Sequence, residues 1–142
     1  MQTIQQFNGK HRYLSNFWPC SFWWNGFLWP SSEHAYQAAK SLQHEDWVLI
    51  CRASVTPAQA KRIGKSLTLR PDWEQIKFDI MLAIVREKFY QNQGLMDKLN
   101  ATAPHNLEEG NTWGDKIWGI SPPGSGIGQN LLGKILMQVR GT

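Results

Sequence analysis

The chain has 142 residues, 42% of them hydrophobic and 18% charged, and a formal net charge of +4. That length suits one domain with a core of its own, and the modest charge excludes a disordered tail or a long solvated helix. The 15 Lys and Arg are dispersed along the chain, a pattern that excludes a basic nucleic-acid arm but suits an anionic ligand such as a phosphate ester.

Residues 1–29 alternate aromatic and polar side chains, with turn signals at Asn8-Gly9 and Asn25-Gly26. They predict short strands, with Trp24-Asn25-Gly26-Phe27 as a hairpin turn. A first helix is expected from Ser32 to Leu42, after Pro30 and two candidate N-caps, Ser31 and Ser32. A second covers Glu45 to Ala53. Thr56-Pro57 opens a third, which Gly64 should stop. Asp72 should cap the longest helix, Trp73 to Gln91. There Ile76, Ile80, Ile84 and Phe89, with Leu82 and Val85 beside them, recur at helical spacing and predict the central core helix. Leu95 to Thr102 reads as another short helix. Residues 107–128 read as irregular, with extended pieces at Leu107-Glu108-Glu109 and Ile117-Trp118. A last amphipathic helix runs from Asn130 to Val139. The sum is an α+β fold, a mostly helical single domain over residues 1–142. It has short N-terminal strands and a Trp/Gly-rich irregular region near the C-terminus.

Cys20 and Cys51 match no metal spacing and no disulfide framework, so both are expected reduced, in a cytoplasmic protein. The four His, at 11, 34, 44 and 105, are scattered, and neither a metal site nor a cofactor is expected. No signal peptide and no 18-residue apolar run is present, so no membrane segment is expected. The oligomeric state leaves no mark in the sequence.

Three stretches carry candidate chemistry. In WPSSEHAYQAAK, residues 29–40, helical geometry puts Glu33, Gln37 and Lys40 within about 60° of one another, with Tyr36 beside them. Ala35, Ala39 and Leu42 fall on the opposite side. The simplest reading is a surface helix with solvated polar residues; the other is the wall of a site, next to the aromatic stretch WPCSFWWNGFLWP. In EEGNTWGDKIWG, residues 108–119, Asp115 suits either an Asx-turn between buried tryptophans or a carboxylate on the edge of an aromatic pocket. In PPGSGIGQNLLGKILMQVR, residues 122–140, alternating Gly124, Gly126 and Gly128 lead into a helix. That arrangement suits close approach of a phosphate or a plain flexible loop, and it is neither a Rossmann fingerprint nor a P-loop.

Taken together, these stretches resemble the YbiA-like N-glycosidases of the NADAR (NAD and ADP-ribose) superfamily. The resemblance rests on YLSNFWPCSF (13–22), WPSSEHAYQAAK (29–40), RPDWEQIK (70–77), REKF (86–89), NTWGD (111–115) and GQNLLGKILMQVR (128–140). It implies an enzyme that breaks an N-glycosidic bond between a base or amine and a ribose phosphate. Members are associated with early riboflavin-pathway intermediates or with ADP-ribose on modified guanine. The implied partner is a small ribose phosphate or ADP-ribose, with ADP-ribosylated nucleic acid as a further candidate substrate. By the same resemblance Glu33, Asp115 and Trp73 fall at the family's proposed catalytic positions, and Lys40 matches a lysine of the same helix motif. Ser15, Asn16 and Phe17 match the segment expected along the ligand cleft. Tyr36, Gln37, Trp113, Gly126, Gly128 and Asn130 complete the expected substrate-binding set.

Such a reaction builds positive charge at C1′ and negative charge on the leaving nitrogen, so two carboxylates, Glu33 and Asp115, could divide the work. Lys40 could instead form a Schiff base with a ring-opened sugar, or simply pair with Glu33 or a phosphate. Trp73 could stack on the base or only pack the core helix. Two rival classes stand beside the enzyme. One is a non-catalytic ADP-ribose or nucleotide reader. The other is a single-stranded nucleic-acid binder that stacks bases on tryptophans, which the dispersed basic residues disfavour.

Overall fold

The computed structural model describes residues 2–142. In chain order the elements are β1 (Thr3–Ile4), a 3-10 helix (Gly9–Leu14), β2 (Phe22–Trp24), β3 (Phe27–Trp29), α1 (Ser32–Ala39), α2 (His44–Ile50), α3 (Pro57–Ser66), α4 (Trp73–Tyr90), α5 (Gln93–Asn100), β4 (Asn106–Leu107) and α6 (Leu131–Val139). This is the expected α+β fold dominated by helix. The chain divides into two compact units. One is Asn16–Asn92, and the other joins residues 1–15 to Gln93–Thr142.

In the Asn16–Asn92 unit, β2 and β3 pair antiparallel with Trp24 opposite Phe27. Asn25 and Gly26 both take positive φ, 51° and 81°, as a type I′ hairpin turn requires. The hairpin carries an aromatic cluster. Trp24 stacks on Trp47 of α2 with centroids 5.6 Å apart, and Trp29 meets the same ring edge-on at 5.6 Å. Trp29 is wholly buried, and its indole N–H donates to the Trp24 carbonyl, which satisfies the one polar atom of a buried Trp. α1 is buried along all eight of its residues. It ends at Ala39 rather than Leu42, because Lys40 is its C-cap and the carbonyl of Lys40 accepts from Arg70 N–H. α2 ends at Ile50, short of the expected Ala53.

α3 opens with a full capping box between Thr56 and Gln59, with Pro57 in its first turn. It does not stop at Gly64. The helix continues to Ser66, and Gly64 faces Gln37 of α1 so closely that a Cβ there would lie within 1.8 Å of the Gln37 side chain. In α4, Trp73, Met81, Ile84, Val85, Lys88 and Phe89 are buried. Ile76 and Ile80 are only half-buried, so the core stripe lies one row over from the one their spacing suggests. Asp72 holds the N-cap position but makes no cap bond; its carboxylate pairs with Arg70 instead, at 2.7 Å.

In the other unit, β1 and β4 form a short parallel pair, Thr3 opposite Asn106 and Ile4 opposite Leu107. α6 buries Leu132, Gly133, Ile135, Leu136 and Val139. A Cβ on Gly133 would meet the Leu107 carbonyl at 2.1 Å, so only glycine lets α6 pack this close to β4. α5 begins at Gln93, two residues before the expected start, and ends at Asn100. The strand expected over 107–109 is limited to Asn106–Leu107. Ile117-Trp118 is bent rather than extended, because both of its N–H groups turn onto the Asp115 carboxylate.

Candidate active site

In the Asn16–Asn92 unit the candidate residues gather on α1. Ser31 caps the helix, its hydroxyl accepting from His34 N–H at 3.2 Å. Asn16 holds the same end from outside. Its carbonyl accepts from Glu33 N–H at 3.0 Å, and its side-chain oxygen accepts from the Ser32 hydroxyl at 2.9 Å. Glu33 therefore stands in the first turn, where the helix dipole favours a negative charge. It is 7% exposed. One turn on, Gln37 donates from Nε2 to Glu33 Oε1 at 2.9 Å. Gln37 Oε1 is buried and has no hydrogen-bond partner among the described residues.

Tyr36 and Trp73 are both buried, with ring centroids 5.2 Å apart. Lys40, one turn beyond Tyr36, sets its ammonium 5.6 Å from the Tyr36 centroid, within cation–π range. Burial lowers the pKa of Lys40, the Glu33 carboxylate opposes that shift, and Lys61, Lys65 and Lys77 add to it. Glu33, Gln37, Tyr36, Lys40 and Trp73 thus lie together within this unit. The arrangement offers an oriented carboxylate, an amine with a softened charge and a surrounding group of lysines. Chemically, that set suits stabilising a cationic sugar centre and holding a phosphate. Trp73 lies in the first turn of α4 with little free face. Phe17 is 41% exposed.

In the other unit, Asp115 sits on a loop that is clamped by Asn111. The buried Asn111 side chain donates to the Asp115 carbonyl at 2.9 Å and accepts its N–H at 3.0 Å. Asp115 Oδ1 accepts from Ile117 and Trp118 N–H at 3.1 and 3.0 Å. The Asx-turn anticipated as the simpler reading is therefore present, but not between buried tryptophans, since Trp113 is exposed and Trp118 only half-buried; Oδ2 is not engaged by it. Trp113, on the same loop, is 65% exposed. Gly126 takes φ +73° in open space, whereas a Cβ on Gly128 would strike the Gly119 carbonyl. Asn130 has a left-handed backbone, φ 52°. Its amide is held at both ends, accepting from Glu109 N–H and donating to the Leu107 carbonyl. Its side chain ties the glycine loop to β4. Ser15 closes the 3-10 helix through its N–H on Arg12 O.

Sequence reading missed several residues that build these sites. Asn111 works as a brace, and only its place inside a motif marked it; Asn16, expected along the ligand cleft, braces the start of α1. His34 is buried, with Nε2 2.6 Å from the Val55 carbonyl and Nδ1 2.6 Å from Ser31 Oγ. The carbonyl can only accept, so Nε2 carries the proton and Nδ1 accepts from Ser31. Lys88 is fully buried in α4, where burial pushes its pKa down to about 8. Lysine inside a helix stripe gives no sign of that. Among the described residues, no three His, Cys, Asp or Glu side chains gather as a metal would need.

A family model described as the NADAR domain matches residues 4–142. The N-glycosidase YbiA of Escherichia coli (strain K12) is 42% identical over 131 residues, covering 89% of this chain and 78% of that protein. A riboflavin biosynthesis protein of Vibrio vulnificus is 43% identical over 133 residues. The match takes in 92% of this chain but 35% of that relative, so the chain spans about a third of its length. The NMR structure of the Escherichia coli protein YbiA superposes with a TM-score of 0.83 at 37% identity, over 99% of this chain and 84% of that one. The shared fold and the identity across nearly the whole length place this chain in the NADAR domain family.

Proposed function

We propose that the chain is an N-glycosidase that hydrolyses the bond between a base or amine and a ribose phosphate. The observation that carries the reading is Glu33, a buried carboxylate fixed by Gln37 on one side and by the anchored N-terminus of α1 on the other. A carboxylate held this way stabilises the oxocarbenium-like C1′ or activates the water that attacks it. The C1′–N bond breaks, water oxygen joins C1′, and the leaving nitrogen takes a proton. Lys40, with Lys61, Lys65 and Lys77 near enough to depress its pKa, supplies positive charge for the substrate phosphate. The names of the relatives, N-glycosidase and riboflavin biosynthesis protein, support a riboflavin-pathway ribosylamine phosphate as the first substrate to test. ADP-ribosyl guanine, free or in nucleic acid, is the second. The family resemblance assigns Asp115 the second carboxylate role. No helix of the described residues is long and apolar enough to cross a membrane, and the free thiols of Cys20 and Cys51 suit a cytoplasmic setting.

The test is mass spectrometry of products from the two candidate substrates offered side by side. Release of free base with ribose 5-phosphate or ADP-ribose supports the reading. Tight binding of ADP-ribose with no base release from either substrate would favour the non-catalytic reader instead.

A further inference from the structure

A cavity of about 710 Å³ lies within the unit formed by residues 1–15 and 93–142. It shares no residue with the candidate active site. β1 and the residues around it contribute Gln2, Gln6 and Asn8, the 3-10 helix contributes Lys10, His11 and Tyr13, and the end of α5 and the turn after it contribute Lys98 and His105. Three features set it apart from a chance surface hollow. First, its charge is of one sign. The chain has 11 carboxylates, yet none lines this cavity. The nearest in sequence, Asp97, accepts from the Gln93 side-chain amide at 2.8 Å.

Second, the lining comes from segments some 90 residues apart that the fold ties together: His105 Nε2 lies 2.9 Å from Gln2 Oε1, and the Tyr13 hydroxyl donates to the Lys98 carbonyl at 3.0 Å. Burial lowers the His11 pKa, and Lys10 and His105 lower it further. That shift leaves His11 a neutral imidazole with one N–H to donate, and an anion beside it would oppose the shift. Among the described residues, neither Lys10 nor Lys98 has a carboxylate partner. Third, the wall is braced. Tyr13 is buried, its hydroxyl donates to the Lys98 carbonyl at 3.0 Å, and the Lys98 ammonium lies 5.7 Å from its ring centroid. His105 is fixed between the Thr102 carbonyl and the Gln2 side chain at 3.0 and 2.9 Å.

We infer that this cavity is a second ligand site, built for the phosphate of a small phosphate monoester such as a nucleotide. The two lysines match the two charges of a monoester dianion, His11 and the Gln and Asn amides supply directed donors, and the volume is within the roughly 300–1,000 Å³ of ordinary small-molecule sites. A phosphodiester carries one charge per phosphate and must run out of the cavity in both directions, so a nucleic-acid backbone fits it less well.

The test is an NMR titration of the imidazole signals of His11 and His105 in the whole chain. The probes are adenosine monophosphate, inorganic phosphate and an oligothymidylate without terminal phosphate. Saturable shifts of both signals with the first two probes, at millimolar concentration or below, are expected. A folded Lys10→Glu, Lys98→Glu double variant should weaken that binding at least tenfold while its glycosidase activity stays at the native level. The readout is binding at two named histidines, so it stands apart from whether the chain cleaves any N-glycosidic bond. Absence of saturation with both monoester probes, equal binding by the double variant, or saturation by the oligonucleotide alone would overturn the inference.

Discussion

Two of the bonds on Glu33 do different work. Asn16 fixes its backbone and Gln37 fixes its carboxylate. Glu33→Gln keeps the shape and removes the charge, so turnover should fall by about 10²–10⁴-fold, the usual worth of such a group, in a protein that still folds. Gln37 is a positioning residue in this account, and Gly64 makes room for it. Gly64→Ala would put a methyl within 1.8 Å of the Gln37 oxygen. The amide must move, at a cost of roughly 1–3 kcal/mol for overpacking. The same displacement should lower kcat more than it raises KM and shift the pH profile, whereas mere loss of stability would leave the profile in place. Lys40 separates two mechanisms. If it forms a Schiff base, borohydride added during turnover should trap sugar on Lys40, and Lys40→Arg should abolish both trapping and activity. Strong activity of a folded Lys40→Arg variant with no adduct would leave its positive charge as its only contribution. Asp115→Asn keeps an oxygen for the two turn N–H groups, so the loop should survive while activity drops; near-native turnover would remove Asp115 from the catalytic set.

At the scale of elements, α1 depends on a short buried chain of bonds, Ser31 to His34 to Val55. Ser31→Ala should cost about 1 kcal/mol as a lost N-cap, with more for the unsatisfied imidazole. Burial lowers the His34 pKa from its ordinary 6.5 despite the Val55 carbonyl, which acts the other way. The unfolded chain then takes up a proton that the folded chain refuses. This contribution to stability is complete above pH 6.5 and falls as the pH drops below it. Thermal melts between pH 7.5 and 5.5 should show the decline, and His34→Gln should make it shallower; identical slopes would contradict the assignment. Elements with strong local signals are legible in the sequence. The Asn25-Gly26 turn and the Thr56-Pro57 start lie where their chemistry puts them, and α4 starts at Trp73 as expected although Asp72 makes no cap bond. What is not legible depends on distant partners. Gly64 reads as a helix stop until Gln37 is seen packed on it, and Ile117-Trp118 reads as extended until its N–H groups find Asp115.

At the scale of the molecule, the ordered motifs along the chain point to one family, and the fold and the relatives agree with it. The polar stripe of α1 is legible from spacing alone, because Glu33, Gln37 and Lys40 lie a helical turn or two apart. Its burial is not, since it comes from α3 and α4 packing over it, and no local pattern encodes that. The lysines that bear on Lys40 belong to those two helices, so they too escape a reading by motif. The central claim is that Glu33 serves the breaking of an N-glycosidic bond. The most direct measurement is base release followed by mass spectrometry, for the native chain and for Glu33→Gln, on a riboflavin-pathway ribosylamine phosphate and on ADP-ribosyl guanine. Free base and the matching sugar phosphate are expected from at least one substrate with the native chain, and a loss of about a hundredfold or more with a folded Glu33→Gln. Native-level release by Glu33→Gln, or no release from either substrate by the native chain, would contradict it.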